Sequence, residues 1–233
     1  MIRSSASTIA ILPVRGGSKG IPDKNLAELA GKPLMAWTIE AMARASLDMR
    51  LVVTTDSQAI AEVATGLGAE IIGRPANLAR DTSQTEPAVT HALQRLDVNE
   101  DDILILLQAT SPVRLPGTIE RAHEKFISSK CDSLVAVVQE SPFVWHGPTD
   151  SPSPTYNVNA RARRQDVSPD KHNFRETGSF YMSNVGPFVR SGNRIHGTAC
   201  LFVTESCEGV DIDTYLDLTI ANSILVSLKT DPA

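Results

Sequence analysis

The chain has 233 residues, 42% of them hydrophobic and 21% charged, proportions that suit a globular domain with room for one appended lobe. A formal net charge of -5 argues against a nucleic-acid-binding surface but permits a local basic pocket for a phosphorylated small molecule. No apolar run is long enough to span a membrane, and residues 9–14 are too short for a signal-peptide core, so the expected setting is cytoplasmic, with no membrane partner.

Residues 9–14 read as a buried strand, followed directly by the glycine-rich stretch 16–20. Residues 33–45 read as a helix with Pro33 in its first turn, where a missing N–H costs nothing. A second strand is expected at 51–54, a helix at 60–67 closed by Gly66 and Gly68, a short strand at 70–72 and a helix at 86–96. Ile103–Leu107 is an unbroken aliphatic run, the pattern of a parallel strand covered on both faces. Thr118–Ser128 reads as a helix and 134–138 as another strand. This alternation implies right-handed βαβ units and a three-layer α/β sandwich with a mostly parallel sheet. Ligands in such sheets bind beyond the carboxyl ends of the strands.

The pattern breaks at Ser141, after which come Pro142, Pro148, Pro152, Pro154 and Pro169. β-like stretches follow at 178–183 and 199–204, then a helix at 215–228. The expected division is an α/β nucleotide-binding domain over 8–140, a dimerisation arm or lobe over 141–197, and a return to the first domain over 198–230. Disorder is the alternative for the proline-rich part. Cys131, Cys200 and Cys207 form no CxxC pair and read as reduced thiols.

Chemistry concentrates in three places. Residues 12–25, LPVRGGSKGIPDKN, combine three glycines (Gly16, Gly17, Gly20) with three cations (Arg15, Lys19, Lys24) just past a strand. Glycines let successive N–H groups point into one concavity, and the cations can neutralise a polyphosphate. Neither GxxxxGK[ST] nor GxGxxG is present, and a mobile basic surface loop is the alternative. Gln108 lies one residue past the aliphatic strand, where its amide can both donate and accept; a solvent-facing turn is the alternative. Asp211 and Asp213 stand two apart, so in an extended segment both carboxylates face one side and can hold a Mg²⁺. Asp213 could instead cap the helix at Tyr215, a role that leaves Asp211 unexplained. Asp217 is expected to support the start of that helix.

RGGSKGIPDKN resembles the signature loop of the CMP-sugar-acid synthetases, the acylneuraminate cytidylyltransferases. TTDSQAIAEVA (54–64), RPANLARDTSQT (74–85), LLQATSPVR (106–114) and VDIDTYLDL (210–218) resemble further blocks of that family, in its order. The resemblance implies the nucleotidyltransferase sandwich, CTP as co-substrate, Mg²⁺, and a homodimer. It places Arg15 and Lys19 on the β- and γ-phosphates, Lys24 on the α-phosphate, and Leu12, Gly16, Gly17 and Ser18 along the nucleotide loop. Asn25 falls on the ribose, Arg74 near the cytosine, and Asp81 and Ser83 in the nucleotide pocket. Gln108, Thr110, Arg175, Thr177 and Tyr181 face the sugar acid, while Asp211, with Asp213, holds the metal and joins Arg15, Lys19, Lys24 and Gln108 in catalysis.

RETGSFY at 175–181 departs from the family's RPNGAIY by placing Thr177 where an Asn is usual. Arg194-Ile195 stands roughly where aromatics pack on the N-acyl group in some members. An arginine there leads to the expectation of an acceptor with a hydroxyl or other polar substituent, as in deaminated sialic acid. The rival readings are a cytidylyltransferase for the eight-carbon acid, a sugar-1-phosphate nucleotidyltransferase, and a catalytically silent nucleotide binder on the same fold.

Overall fold

The computed structural model describes residues 6–18 and 20–230. Seven strands form one sheet: β1 (Thr8–Pro13), β2 (Met49–Thr55), β3 (Glu70–Gly73), β4 (Ile103–Leu107), β5 (Ser133–Glu140), β6 (Asn173–Asn184) and β7 (Ala199–Val203). The helices are α1 (Leu34–Arg44), α2 (Gln58–Gly66), α3 (Thr85–Leu93), α4 (Thr118–Ser128), α5 (Val185–Ser191) and α6 (Tyr215–Thr230). Spatially the strands run β7-β5-β6-β4-β1-β2-β3. β6 is antiparallel to β4 and β5, and the remaining pairs are parallel.

Alternation along β1 divides the core. Ala10 and Leu12 point into a cluster with α1, α2, α4 and α6, while Ile9 and Ile11 point into a second cluster with α3 and α5. All five side chains of β4 are buried, three toward the first cluster and two toward the second. Each such burial contributes about 1.5–3 kcal/mol before chain entropy is charged against it. The expected three-layer sandwich is therefore present.

The expected excursion over 141–197 is shorter than the sequence suggested. Its second half re-enters the sheet as β6, between β4 and β5, and continues into α5. What projects is 141–172, with a two-stranded pairing of Trp145–His146 and Ser153–Pro154 and an aromatic cluster of Phe143, Trp145 and Tyr156. Arg161 lies over the Phe143 ring, 4.0 Å from its centroid.

Two local devices position the site. α6 starts with a reciprocal cap: the Asp217 carboxylate accepts from the N–H groups of Asp213 and Thr214, and the Thr214 hydroxyl accepts from Asp217 N–H. Asp217 thus supports the helix start, and Thr214, not Asp213, is the capping residue. Between Glu28–Leu29 and Lys32–Pro33 the chain turns through Ala30 (φ +48°) and Gly31 (φ +85°). Asn222 and Lys229 of α6 bond the backbone of Ala30.

Candidate active site

β1, β2, β3 and β4 end on the same rim, and the segments that leave them enclose an open cleft of about 220 Å³. Pro13, Arg15, Gly17, Ser18, Lys24 and Asn25 supply one wall, Gln108, Ala109 and Thr110 a second, and Arg74, Leu78, Arg80, Ser83, Gln84 and Thr85 the rest. The site lies where an open parallel sheet leaves its strand ends free.

The glycine loop is braced on both sides. Gly16 N–H donates to Asp56 Oδ1 at the end of β2 (2.9 Å), and Asn25 Nδ2 donates to Arg15 O (3.1 Å). Gly17 has φ +72°, a left-handed conformation that disfavours a side chain. Arg15 Nη1 pairs with Asp81 Oδ1 at 2.6 Å. Lys19 lies outside the described residues.

Lys24 is the junction of the site. Its side chain is 12% exposed, and its Nζ donates to Ile212 O (2.6 Å) and Asp213 Oδ1 (3.0 Å). Gly20 completes the contact: a Cβ there would stand 2.7 Å from Asp213 O. Ile212 N–H donates to Thr110 O (2.8 Å), which ties the acidic segment to the Gln108 wall as well. Ile212 is fully buried, while Asp211 and Asp213 on either side are exposed, as a two-residue alternation requires.

Arg74 enters from β3. It is 9% exposed, its Nη2 donates to Thr54 O at 2.5 Å, and its Nε has no protein partner. Burial lowers its pKa and the Arg15 charge adds to this, with Asp56 acting against both. Ser83 accepts from Arg80 N–H and donates to Asn77 O, fixing the turn that carries Asp81.

Behind the Gln108 wall lies a polar layer the sequence did not disclose. Gly178, at φ +70°, makes room for Gln108, whose Oε1 would sit 2.6 Å from a Cβ at that position. Arg114 Nη2 donates to Ser179 O (3.0 Å) and Ser179 Oγ (2.8 Å), and Ser111 Oγ donates to Thr177 O (2.7 Å). Burial lowers the Arg114 pKa to about 10, with Glu208 opposing the shift.

Four of the expected contact residues face elsewhere. Leu12 is fully buried in the core, so Pro13 is the first residue of its strand to reach the cleft. Thr177 is 1% exposed, its hydroxyl donating to Ala136 O and accepting from Ser179 N–H within the β6 irregularity. Arg175 bonds Glu140 and Gly209 O. Tyr181 belongs to the α3/α5 cluster; its hydroxyl donates to Glu176 (2.9 Å), and burial followed by that carboxylate raises its pKa to about 12. Arg194 lies 5.1 Å from the Tyr181 ring centroid and pairs with Glu86 at 2.6 Å. These two charged residues line a second cavity of about 450 Å³ that shares Ser83, Gln84 and Thr85 with the cleft.

A family model described as cytidylyltransferase matches residues 9–188, a span that takes in the glycine loop, Arg74, Gln108 and β6. The chain belongs to the cytidylyltransferase family. It is 31% identical to N-acylneuraminate cytidylyltransferase A of Danio rerio over 224 residues, 94% of this chain and 51% of the relative, so it spans about half the length of that protein. It is 33% identical to CMP-N,N'-diacetyllegionaminic acid synthase of Legionella pneumophila, over 93% of this chain and 95% of the relative. These relatives place this cytidylyltransferase with the CMP-sugar-acid synthetases. Its fold is similar to that of a CMP:2-keto-3-deoxy-manno-octonic acid synthetase solved with CTP, with TM-score 0.68 and 14% identity over 95% of this chain and 99% of the other.

Proposed function

We propose that the chain transfers CMP from CTP to the anomeric hydroxyl of a nonulosonic acid. The hydroxyl oxygen bonds to the α-phosphorus, the bond from that phosphorus to the bridging oxygen breaks, and pyrophosphate leaves; the hydroxyl proton passes to solvent. The observation that carries this reading is Lys24 held between the glycine loop and Asp213, which brings cations and acids to one rim of the sheet. A preorganised cation at the α-phosphate acts on the transition state as well as on binding.

In this reading Arg15 and Lys19 hold the β- and γ-phosphates, and Gly16, Gly17 and Ser18 shape the loop around them. Asn25 contacts the ribose, and Arg74 and Ser83 meet the base. Gln108 and Thr110 orient the acceptor, whose far end extends toward Glu86 and Arg194; Arg175, Thr177 and Tyr181 support that side from outside the cleft.

Asp211 and Asp213 fit a Mg²⁺ site. Both are exposed, Asp213 bonds Lys24 of the cleft, and no group of three His, Cys, Asp or Glu residues suited to a metal occurs among the described residues. The remaining ligands would be phosphate oxygens and water, as is usual for this ion. Bound there, Mg²⁺ would neutralise triphosphate charge.

The projecting 141–172 segment and the exposed Trp145, Val158, Leu201 and Val203 support a homodimer, which light scattering on the purified chain tests. No described helix is long and apolar enough to cross a membrane, and the proposed setting is the cytoplasm, where CTP is supplied. The direct test is pyrophosphate release from CTP and Mg²⁺ with a panel of nonulosonic acids. Turnover with a nine-carbon acid is expected; failure of the protein to bind CTP by titration calorimetry would overturn the reading.

A further inference from the structure

Three of the donors that a triphosphate would need are engaged, each by oxygens from a different part of the chain. Asp81 Oδ1 sits on Arg15 at 2.6 Å, Asp56 Oδ1 on Gly16 N–H at 2.9 Å, and Asp213 Oδ1 on Lys24 at 3.0 Å. These carboxylates differ in how firmly they are placed. Asp56 follows β2 directly, and Asp213 belongs to a segment anchored by buried Ile212. Asp81 instead lies on a turn between Arg80 and Ser83, outside any strand or helix. That turn is closed by two bonds of its own, Arg80 N–H to Ser83 Oγ (3.1 Å) and Ser83 N–H to Arg80 O (2.9 Å), neither of which uses the Asp81 carboxylate.

We infer that Asp81 is a displaceable counterion, a stand-in for a phosphate oxygen that holds Arg15 in the empty cleft and competes with pyrophosphate for it when product leaves. The inference rests on the cytidylyltransferase reading and changes the role of one residue within it. Asp81 occupies Arg15 Nη1, so a phosphate oxygen that takes that donor displaces it, and the nearby carboxylate charge weakens the hold of the guanidinium on any other anion. An incoming polyphosphate displaces Asp81 because it brings more charge and more acceptor oxygens to the same guanidinium. At release the exchange runs backward, and the returning carboxylate lowers the net cost of freeing pyrophosphate. Binding is weakened and departure is quickened by the same contact.

The sign of the prediction separates this role from direct nucleotide binding. Asp81→Asn keeps the shape and removes the charge. For a partly exposed pair, the gain in pyrophosphate affinity is about two- to five-fold. Titration calorimetry of inorganic pyrophosphate into wild type and D81N should show this tightening, and product inhibition should strengthen by the same factor. In an Arg15→Gln background the D81N effect should vanish, which distinguishes the specific pair from a general loss of negative field. Unchanged or weaker pyrophosphate binding by D81N, or an equal effect in both backgrounds, overturns the inference and leaves the functional reading standing. If wild type binds neither pyrophosphate nor CTP, the functional reading falls and the inference falls with it.

Discussion

Gly20 offers the sharpest test of the claim that the glycine loop and the acidic segment work as one unit. A Cβ at this position would stand 2.7 Å from Asp213 O, where ordinary contact begins near 3.4 Å. Gly20→Ala therefore forces the two segments apart by about 0.7 Å. The obstacle is a backbone oxygen, so rotation of a side chain cannot relieve it. Lys24 bridges this same gap, and its bonds of 2.6 and 3.0 Å to Ile212 O and Asp213 Oδ1 have little slack. Displacements approaching 1 Å at a reacting centre cost about 10²-fold in rate, so kcat for pyrophosphate release should fall by about one to two orders of magnitude. The loop lies at the surface, so stability should change little. Thermal melts and steady-state kinetics on the same preparation check both halves. A G20A enzyme with wild-type kcat would show that the contact is incidental and refute the reasoning.

Lys24→Met removes the bridge itself, and a loss of about 10²–10³-fold in kcat is expected from single-turnover kinetics, with the melting temperature close to wild type. Ala30 occupies a left-handed position (φ +48°) in a turn that favours Asn or Gly; Ala30→Asn should stabilise by about 0.5–1 kcal/mol in a urea denaturation series. At Glu86, burial raises the carboxyl pKa, but the bonds from Arg194 outweigh it and hold the group below its ordinary 4.5. Its depressed folded pKa gives a stabilising term that is present above pH 4.5 and lost as pH falls through the folded value. The stability gap between wild type and Glu86→Gln should accordingly narrow below pH 4.5 in denaturant midpoints. Arg194→Phe replaces a charged wall of the second cavity by an apolar one, and about a tenfold rise in kcat/KM for N-acetylated over deaminated acceptors is expected from paired kinetics.

The fold was legible where local pattern and tertiary environment agree. Ile103–Leu107, aliphatic throughout, is a parallel strand buried on both faces, and Thr118–Ser128, with its apolar positions on one side, is the helix expected. β6 was less legible because NFRETGSFYMSN begins polar, carries Gly178 at an irregularity, and gains its partners from strands far away in sequence. The cationic loop and the acid pair could be named from residue type and spacing. Asp56, Gly178 and Arg114 could not, because their roles depend on what faces them across the sheet's rim. Asp56 reads locally as the end of a strand, and an arginine shortly after Ser-Pro reads as solvated until its bonds to Ser179 are seen. Thr177 shows the reverse: expected from its block to face the sugar acid, its hydroxyl is spent on Ala136 O and Ser179 N–H within the sheet.

The charge arrangement at the cleft is itself a consequence of packing. Nothing about two aspartates near the end of a chain brings them to a lysine nearly 190 residues earlier. The residue between them does. Ile212 is fully buried in the same cluster as Leu12 of β1 and Leu107 of β4, and its N–H is held by Thr110 O. With Ile212 facing inward, strand alternation leaves Asp211 and Asp213 facing outward, and Lys24, with most of its side chain covered, meets Asp213. The apolar stem of Lys24 and the Ile212 side chain thus supply burial that helps offset the cost of holding a cation and a carboxylate 3.0 Å apart. The Lys24 side of the cleft is set by that arrangement, while the Gln108 wall is backed by the Arg114–Ser179 layer and joined to the acidic segment through Thr110 O.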